Sequence, residues 1–500
     1  MYPDRDFDLR RPLPWNAETL IQDLELTTLF NAMAHGDKFL FAVAKAAILS
    51  GVDGSLDTLH YRQAVLTDCL KNPDVVKSIY DLAVESIESE KKVWGWSGRR
   101  PETILSRGIE VLQLMVGMLK RLKKISDEHA GEFESDGFTR LFKMLDEELS
   151  DAYFATVQQH LKELQFRGGM LLSAELGQGN KGSNYTLRKP EGKRQNWLRQ
   201  AFAAKPPTYT FYIADRDESG AKALSELREQ GINLVANALA QSADHVLSFF
   251  SILKTELAFY IGCLNLHTEL TERGQSLALP QPKAAGERRL SCTGLYDACL
   301  ALILEKPVVC NDLSADDKDL AIITGANQGG KSIFLRSVGL SHLMMQCGMF
   351  VPVTSFCASI CDAVYTHYRR EEDATMTSGK LDEELRRMSD IVDQLTPDSL
   401  VLFNESFAAT NEREGSEIGR QIVSALIEKG IRVFFVTHLH TLARGFYDRG
   451  MANAIFLVAE RQADGERTFR IIEGEPSQTS YGDDLYDRIF SDAGRQANRS

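Results

Sequence analysis

The sequence predicts an α/β domain over residues 290–500, preceded by a mostly α-helical region that carries a small β insertion. Three observations predict it. After about Leu290, short apolar runs (DLAIITG, SLVLFNE, IRVFFVTH) alternate with helical stretches (IFLRSVGLSHLMMQCG, EGSEIGRQIVSALIEKG). Strands apolar on both faces and alternating with helices make a doubly wound, mainly parallel sheet. Upstream, apolar residues recur three and four apart, as on the buried face of packed helices. Between them, Gly, Asn and Ser punctuate short β-prone runs.

In chain order, residues 1–166 read as a helical core domain. LIQDLELTTLFNAMA, DKFLFAVAKAAILS, NPDVVKSIYDLAVESIESEKKVW and ETILSRGIEVLQLMVGMLKRLKKI each keep the helical period. Residues 167–215 form the β-containing insertion, with GGMLLSAELGQGNKGSNYTLRKP and a further strand expected at YTFYIA. Residues 216–289 read as a long strut and linker: Gly220 to Leu270 is helical throughout, with Gly231 the expected break, and the Pro-, Gly- and charge-rich 271–289 marks the boundary. Neither an internal repeat nor a low-complexity tract is present.

Composition narrows the function. With 500 residues, 43% of them hydrophobic, the chain can bury several cores. It contains no run of eighteen apolar residues and no apolar segment after MYPDRDFDLRRPLPW, so a cytoplasmic location without membrane attachment is expected. Eight cysteines in so long a chain fit reduced, mostly buried thiols; Cys357 and Cys361 lack the further ligands of a zinc site. A net charge of -13 argues against a general nucleic-acid coat, which needs dense Lys and Arg. Two local basic stretches, RLKKISDEH and TLRKPEGKRQNWLRQ, read either as a nucleic-acid patch or as a solvated helix end and polar loop.

The chemistry concentrates near TGANQGGKSIFLRS. Gly325, Gly330, Lys331 and Ser332 satisfy G-x-x-x-x-G-K-[ST] between an expected strand and an expected helix. Backbone N–H groups of Gly325, Ala326, Asn327, Gln328, Gly329 and Gly330 would cradle phosphates at the positive helix end. Lys331 would reach the β- and γ-phosphates of ATP, and the Ser332 hydroxyl would bind Mg²⁺. SLVLFNE ends a buried strand in Asn404 and Glu405: Glu405 suits polarising a water, while Asn404 offers Mg²⁺ a carbonyl oxygen without charge. His438 follows another apolar run and suits a contact to the γ-phosphate or the water, with His440 raising the alternative of a metal pair. Ser378, just before the amphipathic KLDEELRRMSD, can meet phosphate oxygens or simply cap a helix.

Taken together, AIITGANQGGKSIFLR, SLVLFNE, FFVTHLHTL and SYGDDLYDRI resemble the MutS family of DNA mismatch repair ATPases over about residues 290–490. That family typically reads TGPNMGGKS, LVLLDE and ATHYHEL, and its domain closes near SYG. Asn327, Gly329, Gly330, Lys331, Ser332, Glu405, Thr437, His438, His440, Ser480, Tyr481 and Gly482 match. The helical region and strut resemble the family's core and lever helices more weakly. The resemblance implies an ABC-type ATPase fold and a homodimer with nucleotide between subunits, each supplying a signature serine; Ser378 is the candidate here. It also implies DNA as partner. Two departures stand out: no Phe-x-Glu wedge occurs near the N-terminus, and Asn404 and FAATNEREG replace the family's Asp and GRGTSTYDG. The expectation is therefore a MutS-like ATPase whose ATP-bound dimer closes on DNA. The alternatives are a nucleotide-gated scaffold for a protein partner and a structural DNA-binding module.

Overall fold

The computed structural model describes residues 1–51, 55–94, 100–167, 169–180, 182–188, 209–210, 212–304, 306–370, 379–462 and 467–477. Two compact units result, one of Met1–Pro73, Glu134–Gly137 and Thr255–Ser500, the other of Asp74–Phe133 and Phe138–Lys254.

The second unit is built on helices, including Pro101–His129, Asp151–Glu163 and the leading part of a 55-residue helix, Glu218–Glu272. Strands β1 (Leu171–Leu176) and β2 (Gly182–Arg188) form an antiparallel hairpin within it. Gly231 does not break the long helix. A Cβ there would lie 2.3 Å from Cδ2 of Leu172, so the glycine seats a side chain of β1 against the helix. The strand expected at YTFYIA does not form among its described residues, and Tyr209 and Tyr212 are exposed. A β-prone run without a neighbouring strand has no partner for its backbone groups. Half of the most apolar stretch of the long helix is buried inside the protein.

The basic stretch at Arg121–His129 is largely self-neutralised. Arg121 pairs with Glu85, Lys123 with Asp127 and Asp146, and Lys124 with Glu128. These cations form a solvated, internally paired helix face. Of the second basic stretch only Thr186, Leu187 and Arg188 lie within the described residues.

In the first unit, helices Ala17–Asp23 and Leu26–Ala34 replace the single helix expected over LIQDLELTTLFNAMA. Between them Glu25 takes a left-handed backbone (φ 53°) and turns its carboxylate to Arg336. Helix Lys38–Ser50 starts where Asp37 accepts hydrogen bonds from the N–H groups of Phe39 and Leu40.

Two sheets follow. Strands β3 (Gln281–Lys283), β4 (Leu290–Leu295), β5 (Asn311–Ser314) and β7 (Ser355–Ser359) form a four-stranded sheet in the order β3-β7-β4-β5. The larger sheet has β6 (Leu320–Gly325), β8 (Val364–Tyr368), β9 (Leu400–Asn404), β10 (Arg432–Val436), β11 (Ala454–Arg461) and β12 (Arg467–Glu473). Its order is β12-β11-β6-β10-β9-β8. All neighbours run parallel except β11 and β12. Ile322, Val401, Phe403, Val433 and Phe435 bury one face with Val423, Leu426, Leu442 and Phe446 from helices Glu412–Glu428 and His440–Tyr447. On the other face, helix Lys331–Gln346 comes so close that a Cβ on Gly339 would lie 2.7 Å from Cδ1 of Leu402.

Helix Lys331–Gln346 is pinned by a buried ion pair, Arg336 to Asp297, and the Asp297 side chain also accepts from the Leu300 N–H at 2.9 Å to cap helix Ala298–Ile303. Desolvation is the largest influence on Asp297 and raises its pKa, opposed by Arg336. Asp297→Ala leaves the buried guanidinium only its pair with the half-exposed Glu25 and removes the cap of helix Ala298–Ile303, and should cost about 3 kcal/mol, read as a lower midpoint in denaturant. An unchanged midpoint would contradict this assignment.

Candidate active site

The register of the parallel strands sets the site. Val436 of β10 pairs with Ile323 of β6 and with Asn404 of β9, and Asn404 pairs in turn with Tyr368 of β8. Four strands therefore end side by side, with Gly325 the last residue of β6 and Arg369, Glu405 and His438 just beyond the ends of β8, β9 and β10. In parallel α/β sheets ligands bind at this carboxyl edge.

Gly325 closes β6 with φ 113°, and a Cβ there would lie 2.9 Å from the Ala459 backbone N, so both conformation and space call for glycine. The loop then passes Asn327 and Gln328, which is left-handed at φ 59°, and enters the helix at Lys331 with Gly330 as N-cap. Lys331 is buried; its ammonium donates to the carbonyl oxygens of Gly325 at 2.9 Å and Ala326 at 2.8 Å. It thus curls over the loop. Burial lowers its pKa to about 8, with Glu405 opposing the shift and Arg467 adding to it. The Ser332 hydroxyl donates to Asn404 Oδ1 at 2.9 Å, so the loop and the end of β9 are in direct contact.

Glu405 and His438 also meet: Glu405 Oε1 lies 3.0 Å from His438 Nε2. That hydrogen bond is the largest influence on the carboxyl and holds its pKa below the usual range, with Lys331 and Arg369 acting in the same direction. Glu405 and Phe407 both adopt left-handed backbones, φ 55° and 62°. Strain of this kind persists where the surroundings over-determine it. A buried network does so here. His367 Nδ1 lies 2.7 Å from Ser406 Oγ, the Ser406 hydroxyl donates to the His367 carbonyl, and Glu384 Oε2 accepts the Phe407 N–H at 2.9 Å. Burial pushes His367 down to about 4, leaving its ring neutral at physiological pH.

Gly325 to Ser332, Asn404, Glu405 and His438 are thus brought to one edge, as their motifs suggest. Thr437 lies there too, its N–H donating to the Ile323 carbonyl at 3.1 Å. His440 opens the helix His440–Tyr447, and among the described residues its Nε2 is buried without a hydrogen-bond partner. Among the described residues no group of three or more His, Cys, Asp or Glu is placed to hold a metal ion, so a His438–His440 metal pair finds no completing ligand. Ser378 and the triplet Ser480, Tyr481 and Gly482 lie outside the described residues. Arg369 and Arg467 belong to the site although no motif names them. For Arg369 the signal was available as the β-prone run VYTHY ending in two arginines; for Arg467, only the pairing of β12 with β11 reveals it.

The class defined by fold and site is a mixed α/β domain in which a glycine-rich loop and a helix N-terminus open at the carboxyl edge of parallel strands. Residues 54–273 match the family model of the MutS2 N-terminal domain, and residues 321–487 match that of MutS domain V. The chain belongs to the MutS family. It is 34% identical over 186 residues to the DNA mismatch repair protein MutS of Porphyromonas gingivalis, covering 36% of this chain and 20% of that protein. It is 32% identical over 183 residues to Endonuclease MutS2 of Thermus thermophilus, covering 36% and 24%. With DNA mismatch repair protein MSH3 of Coccidioides immitis it shares 33% over 211 residues, 40% and 19%. The chain thus spans about a fifth to a quarter of the length of these relatives.

The lowered Lys331 pKa has a testable sign. Between about pH 8 and the ordinary lysine value of 10.5, the unfolded chain binds more protons at this group than the folded one. This group's contribution therefore makes stability rise with pH across that window. An anion bound beside the ammonium raises its pKa again. Triphosphate binding at pH 8.5–9 should accordingly take up a fraction of a proton, measured by calorimetry in buffers of different ionisation enthalpy. The uptake should vanish in Lys331→Met, and its persistence there would assign the proton elsewhere.

Proposed function

We propose that this chain is a MutS-like protein that binds and hydrolyses ATP with Mg²⁺, and that an ATP-driven homodimer closes on DNA. The observation that carries the reading is the convergence of Lys331 and Ser332 with Asn404, Glu405 and His438 at one sheet edge. On this reading the C-terminal domain is an ABC-type P-loop ATPase. The helical unit of Asp74–Phe133 and Phe138–Lys254, which holds the β1–β2 hairpin and the leading part of the long helix, acts as its arm.

Chain residues divide the work. The loop N–H groups from Gly325 to Gly330 and the positive end of helix Lys331–Gln346 hold phosphate oxygens. Lys331 leaves its two carbonyl partners for the phosphates. Glu405, kept ionised by His438, accepts a proton from the attacking water or orients it, and His438 fixes which way the carboxylate faces. Ser332 Oγ and Asn404 Oδ1 are adjacent hard oxygens of the kind Mg²⁺ takes, though neither carries charge. Bound Mg²⁺ would neutralise charge on the β- and γ-phosphate oxygens.

Glu405→Gln should leave ATP binding within about twofold and lower turnover by roughly 10²–10⁴, measured by nucleotide titration and phosphate release beside a Lys331→Ala control. Wild-type turnover no higher than that control would sink the hydrolytic reading. Asn404 favours a second reading, a nucleotide-gated scaffold with negligible hydrolysis and a protein partner. Asn404→Asp separates the two: a large rise from a near-zero base supports the scaffold, whereas similar turnover at a lower Mg²⁺ requirement supports the enzyme. For the DNA partner, affinity for duplex or branched DNA should fall steeply with salt and change with ATP. Absent binding under all conditions would remove DNA from the proposal.

A further inference from the structure

Two arginines reach the site from opposite edges of the large sheet. Arg369 follows β8; its N–H donates to the Asn404 carbonyl at 2.9 Å, and its half-exposed guanidinium stands 4.0 Å from Glu405 Oε2. Arg467 opens β12, the strand that lies over the loop: the Phe469 carbonyl oxygen is 3.3 Å from where a Cβ on Gly330 would stand. Among the described residues, Arg467 Nε is buried without a hydrogen-bond partner.

Among the described residues, Lys331, Arg369 and Arg467 bring three cationic side chains to this edge. Glu405 is the carboxylate beside Arg369, and Asn404, beside Ser332, adds no negative charge. Like charges gathered in a partly desolvated site repel, and a polyanion relieves them. A guanidinium is suited to this, since its planar fork matches phosphate oxygens and keeps its charge at any working pH.

We propose that Arg369 and Arg467 are phosphate-binding residues of this site, and that they supply charge neutralisation a carboxylate-anchored Mg²⁺ would otherwise provide. The chain then holds a nucleoside triphosphate with only weak dependence on divalent cation. The inference rests on the nucleotide reading above. It deepens that reading by assigning the missing charge at Asn404 a consequence for metal use.

The test is equilibrium titration of the full chain with a fluorescent ATP analogue, in EDTA and in excess Mg²⁺. Wild-type Kd should rise less than about 10-fold when Mg²⁺ is removed; Arg369→Ala and Arg467→Ala should each weaken binding about 10-fold or more in EDTA but less than about 3-fold in Mg²⁺. Lysine at either position should recover part of the loss, and Asn404→Asp should widen the gap between the two conditions. If Lys331→Ala binds as tightly as wild type, the nucleotide reading itself falls. If Lys331→Ala loses binding while both arginine variants match wild type in EDTA, the proposal falls and the nucleotide reading stands. Equal weakening of the arginine variants in both conditions also overturns it. Should Arg467→Ala fail to fold by circular dichroism, Arg467→Gln and the half-exposed Arg369 decide the question.

Discussion

Everything at the site depends on the register of β6, β10, β9 and β8. Parallel strands release their chains at a common edge, and here Ile323, Val436, Asn404 and Tyr368 stand in one row across it. A slip of one residue on β9 would turn Asn404 away from Ser332 and drive Phe403 into the face where helix Lys331–Gln346 packs on Leu402. The apolar side chains that bury the sheet thus also aim its polar ends. Packing and chemistry are one constraint.

The loop is held in a conformation that keeps a cation out of water. Lys331 satisfies its ammonium with two backbone carbonyls rather than a carboxylate, and burial drives its pKa toward neutrality. Carbonyl dipoles compensate a charge less than an anion does, so the site is poised for an anionic ligand. The turn after β9 shows the same economy. Two non-glycine residues sit in left-handed conformations, and His367, Ser406 and Glu384 are buried beneath them to hold Glu405 against His438.

Away from the sheet, charge has a different role. The basic run at the end of helix Pro101–His129 meets Glu85, Asp127, Glu128 and Asp146, which cancels the local excess that its composition suggests. Exposed pairs of this kind contribute little stability and are weakened by salt. The hairpin of β1 and β2 depends instead on a glycine: Leu172 occupies the space beside Gly231 that any side chain would fill. A residue expected to interrupt a helix turns out to receive its neighbour.

The sequence by itself determined the local elements around the site and the glycine-rich pattern of the loop. Five strands and helices around the site are legible because apolar runs between β6 and β10 are short, buried on both faces and separated by helical periods. The spacing of Gly325, Gly330, Lys331 and Ser332 matches the phosphate-loop pattern without coordinates. Only the tertiary structure decided what each polar end touches. Ser332 bonding to Asn404, Glu405 to His438, and Arg369 and Arg467 closing in from opposite edges all depend on strand order and register. The four-stranded sheet β3-β7-β4-β5 was equally hidden, since its strands are short and drawn from separated segments. Periodicity records which face of an element is apolar, whereas neighbours across a sheet are chosen by long-range packing that no local window contains.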